Sequence, residues 1–132
     1  MYAASFQDLS VLLVEPSHVQ ARIIRDALEK LGIERVSVAE RGDAALSRMR
    51  EAAPSVVISA MYLPDMSGVD LVHAMRADDA LVATPFMLVS SETRPQVLDP
   101  VRQSGACAIV PKPFSEAQLA AALRATLDYL NP

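Results

Sequence analysis

The chain has one cysteine in 132 residues, so no intrachain disulfide can form. Cys107 stands in an apolar run and reads as a small buried residue rather than a reactive thiol. Glycine is scarce: Gly32, Gly42, Gly68 and Gly105 are all there are. None of them follows the first apolar run, where a nucleotide or flavin site on an alternating α/β chain would need a glycine-rich turn. Positive charge is also short, with a formal net charge of -4. The arginines are scattered rather than clustered, which excludes the basic face expected of a nucleic-acid binder. No apolar run approaches the length of a membrane span, and "MYAASFQDLS" lacks the basic and apolar regions of a signal peptide. The expectation is a cytosolic protein. Low-complexity segments, linkers and internal repeats are missing too, so residues 1–132 read as one domain, with about 9–130 as its folded core.

What the chain does have is a hydrophobic content of 52%, ample for a packed core, arranged in an alternating pattern. "LSVLLV" (Leu9 to Val14) reads as a strand buried on both faces. A helix follows from about Ser17, with Val19, Ile23, Ile24, Ala27, Leu28 and Leu31 as its apolar stripe and Gly32 as its C-terminal cap. "ERVSVA" is a second strand, and "GDAALSRMREA" a helix with Ala45, Leu46 and Met49 inward. Pro54 resets the chain before a third strand, "SVVIS". "SGVDLVHAMRA" is a helix burying Leu71, Val72 and Met75, with His73 in solvent. "TPFMLVS" and "CAIV" are the fourth and fifth strands. The last helix opens at a Ser115–Gln118 capping box and turns Leu119, Leu123, Leu127 and Leu130 toward the core. Strands alternating with helices predict an α/β parallel sheet covered on both faces, with any site at the strand ends.

Those ends carry Glu15-Pro16-Ser17-His18, Ser59-Ala60-Met61, Ser90-Ser91-Glu92 and Pro111-Lys112-Pro113. Together, "VLLVEPS", "VVISAMYLPDMSGVDL", "PFMLVSSE" and "GACAIVPKPF" resemble the four landmark segments of the response-regulator receiver domain of two-component signalling. The resemblance runs from Leu9 to Leu130. It implies a flavodoxin-like three-layer sandwich, with five strands in the order 2-1-3-4-5 and five helices. It also implies a site: two acids after the first strand that hold magnesium, a phospho-accepting aspartate ending the third strand, a switch hydroxyl, a switch aromatic and a lysine. In this sequence those places fall on Glu15 and Pro16, Ala60, Ser90, Ile109 and Lys112. The first acid, the hydroxyl and the lysine are kept, whereas the second acid, the acceptor and the aromatic are not.

Alanine cannot accept a phosphoryl group, and one carboxylate is a poor magnesium site. The expectation is therefore a degenerate receiver without a bound metal or cofactor. It would not be an enzyme, and would act as a protein-interaction or dimerisation module on a signalling protein such as a histidine kinase, or on its own second copy. The alternatives are a displaced acceptor, Asp65, or a fragment of a larger regulator. Asp65 otherwise reads as an exposed turn residue held by local hydrogen bonds. Ser59 alternates to the other side of the strand from Ala60. His18 reads as solvent-facing rather than as a metal ligand beside Glu15. Lys112 either pairs with Glu15 or snorkels to water. Within "PKPF" the resemblance implies a cis Lys112–Pro113 bond. Finally, Pro100 predicts that the fourth helix is kinked or split near Asp99, with Thr93 to Leu98 irregular, which would leave the last helix as the more dependable docking surface.

Overall fold

The computed structural model describes residues 6–106 and 108–130, the last two by backbone alone. Cys107 and the side chain of Leu130 lie outside the described residues. The order is β1 (Ser10–Val14), α1 (His18–Lys30), β2 (Arg35–Ala39), α2 (Gly42–Glu51), β3 (Val56–Ala60), α3 (Gly68–Arg76), β4 (Phe86–Ser90), α4 (Pro95–Gln103), β5 (Ala108–Pro111) and α5 (Glu116–Leu130). All strand pairs are parallel and the sheet order is β2-β1-β3-β4-β5. This is the flavodoxin-like sandwich expected from the sequence.

Alternation along the strands divides the core in two. Val11, Leu13, Val56, Ile58, Met87 and Val89 face α1 and α5, meeting Ile24, Leu28, Leu119 and Leu123. Leu12, Val14, Val57, Phe86 and Leu88 face α2, α3 and α4, meeting Met49, Leu71, Met75, Leu98 and Val101. The three central strands β1, β3 and β4 bury both faces, which is why they appear in the sequence as unbroken apolar runs, whereas the edge strand β2 alternates, with Arg35 and Ser37 exposed.

Helix α1 opens with Ser17, whose hydroxyl accepts from the Gln20 N–H. It closes as a Schellman motif: Ile33 N–H reaches the Leu28 carbonyl, Gly32 N–H reaches Glu29, and Gly32 sits at φ 92°. A side chain there would be strained, so the expected glycine cap is a backbone requirement. The apolar stripe of α1 is narrower than the sequence predicts. Ala21, Ile24 and Leu28 are buried, but Val19 is 68% and Ile23 50% exposed. They lie one turn apart on the edge of the stripe, beyond what the sheet and α5 cover.

Helix α4 departs from the expectation more sharply. It is a single helix from Pro95 to Gln103 with Pro100 inside it, not a helix split at Asp99, and only Thr93 and Arg94 precede it. Pro95 occupies the first turn, where its missing N–H is not needed. Pro100 leaves the Gln96 carbonyl without its helical partner, but both residues are exposed and water can take that carbonyl. Leu98 and Val101, buried against the sheet, hold the helix through the break.

The sheet edges are finished by side chains. Ala39 O accepts from Glu15 N–H just past β1, so Val36 and Val38 turn their backbone groups outward. Arg48 Nη1 donates to Val38 O at 2.8 Å, and Val36 N–H is taken by Glu34 O at 3.1 Å. On the other edge, Lys112 N bonds inward to Ser90 O, which turns Pro111 outward with no N–H to offer.

Candidate functional site

Four strand ends meet above β1, β3, β4 and β5. Glu15 follows β1 directly and is almost fully buried. Its Oε2 accepts from Ser17 N–H at 3.0 Å, while Oε1 lies 3.5 Å from Lys112 Nζ. Side-chain exposure is 5% for Glu15 and 24% for Lys112, so the carboxylate is enclosed and the ammonium partly wet. Of the two readings for Lys112, the ion pair is the one the structure shows. The Lys112–Pro113 bond is cis, as expected.

Ala60 ends β3, half-buried, with a cavity of ≈ 180 Å³ beside it. Val89 and Ser90 line it from β4, Glu15 and Lys112 from just past β1 and β5, and Gln20, Met61, Tyr62, Ser91 and Glu92 from α1 and the loops. That is room for a few waters, open to solvent. Ser90 is buried, and its hydroxyl accepts from Glu92 N–H at 3.0 Å. Glu92 is gripped by the Arg94 guanidinium, which holds its carboxyl below the usual range, with the Arg94 N–H adding to the effect. Pro16 is half-buried and does not line the cavity. Ile109 packs half-buried with the core on the α2–α4 side and is also outside it. Roomier grooves exist, ≈ 680 Å³ between α1 and β2 and ≈ 610 Å³ between α1 and α5, but neither brings the strand ends together as this smaller cavity does.

The donor set does not suit magnesium. Glu15 is the one carboxylate at the strand ends of β1 and β3, and both of its oxygens are already engaged. Pro16 and Ala60 bring no side-chain oxygen, whereas magnesium calls for several hard oxygens in near-octahedral array. Among the described residues no three His, Cys, Asp or Glu side chains gather as a metal site. His18 does not meet Glu15; its Nε2 pairs with Glu40 Oε1 on the surface.

The other candidates have structural duties. Ser59 is fully buried and its hydroxyl donates to the Ala60 carbonyl at 2.8 Å. Asp65 is an exposed turn residue, as expected, but its carboxylate is not held by local bonds alone. Its carboxylate reaches across to α2 and accepts from Gly42 N–H at 2.8 Å and Asp43 N–H at 2.9 Å. The Gly42 bond, joined by that of Asp43 and by Arg41, depresses its carboxyl pKa. With both oxygens taken, Asp65 is poorly placed to attack a phosphoryl donor. Sequence reasoning missed Tyr62 and Gln20 as cavity walls. Tyr62 had a local signal, since it stands two residues beyond Ala60 in the loop and is 66% exposed.

The comparisons agree with this fold. Chemotaxis protein CheY-3 of Vibrio cholerae is 27% identical over 119 residues, covering 90% of this chain and 92% of that protein. CheY of Pseudomonas aeruginosa is 27% identical over 123 residues, covering 93% and 99% respectively. The structure of the chemotaxis response regulator CheY4 of Vibrio cholerae superposes with a TM-score of 0.81 at 29% identity, covering 90% of this chain and 98% of that one. The model of the response regulator receiver domain matches residues 11–124. With the strand order 2-1-3-4-5, the lysine after β5 and the acid after β1 all in place, the chain belongs to the receiver-domain family of two-component signalling.

Proposed function

We propose that this receiver signals without aspartyl phosphorylation, as a protein-interaction or dimerisation module of a two-component pathway. The observation that carries the reading is Ala60: the residue ending β3 beside the cavity has no nucleophilic atom. Phosphoryl transfer to a receiver needs a carboxylate in line with the donor and a metal to offset charge on the transferring group. Ala60 supplies no carboxylate, and Glu15 alone cannot hold the metal. In place of a phosphoryl group, Lys112 has Glu15 as a standing counter-ion. The pocket is thus neutralised from within. The domain would be cytosolic and non-enzymatic, and no helix among the described residues is long and apolar enough to cross a membrane.

Its partners would be signalling proteins, a histidine kinase or a second copy among them. Because α4 runs continuously from Pro95 to Gln103 despite Pro100, its face is a second candidate for docking beside α5. Incubation with acetyl phosphate and magnesium, followed by intact mass, tests the proposal. Unchanged mass is expected. A stoichiometric phosphoryl adduct that hydroxylamine removes would overturn it, and mapping that adduct to Asp65 would establish the displaced acceptor instead.

A further inference from the structure

Within its own first turn, helix α2 satisfies only the Ala44 N–H by a side chain, that of Asp43. Arg41 sits at its N-cap position with extended backbone and offers no side-chain acceptor to the first turn. Such a helix start exposes unpaired N–H groups and a partial positive charge. Asp65, 22 and 23 residues further on, fills that place with two bonds. The Asp65 side chain is only 15% exposed, and Arg41 Nη2 stands 3.9 Å away. Beside it, Met66 lies flat against Gly42. A Cβ on Gly42 would fall 2.3 Å from the Met66 sulfur, so this close approach depends on glycine.

The segment that carries Asp65 is itself stiff. Leu63 N bonds to Met66 O at 3.0 Å, Gly68 N bonds to Met61 O at 2.7 Å, and Tyr62 bridges to Ser67. Ser67 and Asp70 then form a reciprocal capping box that starts α3. At the base, a Cβ on Gly68 would stand 2.9 Å from the Ala60 carbonyl, so the start of α3 rests directly on the end of β3. Met61 and Tyr62, the first residues of the same segment, wall the Ala60 cavity.

We propose that Asp65 is a long-range helix cap that joins the wall of the Ala60 cavity to the first turn of α2 as one mechanical unit, released by acid. A change at the cavity wall would then be felt at the N-terminus of α2, a route that needs neither an acceptor aspartate nor an aromatic at Ile109. The proposal stands whether or not the domain is phosphorylated. The charged groups around Asp65 are Arg41 and Asp43 at the α2 start; Asp70 is turned to the Ser67 N–H and Tyr62 is the other titratable group of the segment. The sign follows from the depressed carboxyl. The latch is fully present above the unfolded-state value of an aspartate, and is lost as pH falls through the lower folded value.

Amide NMR on the full chain tests it with three variants: Asp65→Ala, Asp65→Asn and Gly42→Ala. Asp65→Ala should speed exchange of the Gly42 and Asp43 amides by roughly fivefold, the usual effect of a lost cap. It should also move the Met61 and Tyr62 resonances. Asp65→Asn keeps an acceptor oxygen, so it should retain part of the protection while abolishing the acid transition of those four amides. Gly42→Ala leaves Asp65 in place but displaces Met66, and should move Met61 and Tyr62 from the α2 side. If Gly42 and Asp43 respond while Met61 and Tyr62 stay fixed in every variant, the coupling is refuted. If Gly42 and Asp43 do not respond to Asp65→Ala, so is the cap.

Discussion

Replacing Lys112 by methionine removes the charge facing Glu15 while keeping a side chain of similar length. At the 3.5 Å separation, Coulomb's law with an effective dielectric of about 20 gives roughly 5 kcal/mol of gross attraction. Most of that is offset by desolvation, chiefly of Glu15, whose side chain is 5% exposed against 24% for Lys112. A net coupling of about 1–2 kcal/mol remains. Lys112→Met alone should cost about 2–3 kcal/mol, because the enclosed carboxylate keeps Ser17 N–H and loses its cation. Glu15→Gln alone should cost about 1–2 kcal/mol, since the ammonium is wet enough to be hydrated in compensation. The double variant should then be more stable than the sum of the singles predicts. Urea unfolding followed by circular dichroism gives all four stabilities, with a constant m-value as the check on two-state behaviour. If the single effects add to within about 0.5 kcal/mol of the double, the pair is a proximity without energy, and the idea of a self-neutralised pocket fails.

Pro16→Asp combined with Ala60→Asp should restore a metal-binding pair and an acceptor, and yield an acetyl phosphate adduct by intact mass; Ala60→Asp alone should react more slowly. Arg76 donates to the carbonyls of Gly105, Leu81, Val82 and Thr84, tying two loops with one guanidinium. Arg76→Ala should therefore lower stability by about 2–4 kcal/mol in urea unfolding, allowing for carbonyls that water can reach. Pro100→Ala should restore the bond to Gln96 O and raise stability by about 1 kcal/mol, less than the full interior penalty of proline because α4 already accommodates the break. A fall in stability for that variant would contradict the account of α4.

Much of the fold was legible because strands buried on both faces leave apolar runs such as "VLLV" and "VVIS" between amphipathic helices. The Ser115–Gln118 box and the Gly32 cap were legible for the same reason: both are local, written within a few residues. Features that depend on distant partners were not. Asp65 in a proline turn looks like any turn aspartate, and nothing near it says that its acceptors are wanted at Gly42 and Asp43. Arg76 at the end of a helix looks like a solvated charge, although its partners converge from either side of β4. Val19 and Ile23 share the helical spacing of core residues, but how far a neighbouring helix extends over them is a tertiary matter. Pro100 shows the reverse failure: a sound local rule was outweighed by Leu98 and Val101 anchoring both halves of α4. Around Ala60, the sequence brought Lys112 and Glu15 to one edge but left the lysine open between ion pair and solvent, which the structure decides for the pair, and the wall supplied by Gln20 came only with packing.

The finished sheet edges limit how copies of this domain can meet. An unprotected edge strand is a template that any extended segment can join, in correct or incorrect register. Here Arg48 and the Glu34 turn occupy groups along β2, and Pro111 ends β5 without an N–H to offer. Strand-to-strand recruitment, with its risk of runaway polymerisation at high local concentration, is thus discouraged on both flanks. Self-association is thereby steered toward helix surfaces, where side-chain identity rather than backbone hydrogen bonding decides who binds. Such a domain can be crowded together in a signalling assembly and still choose its neighbours.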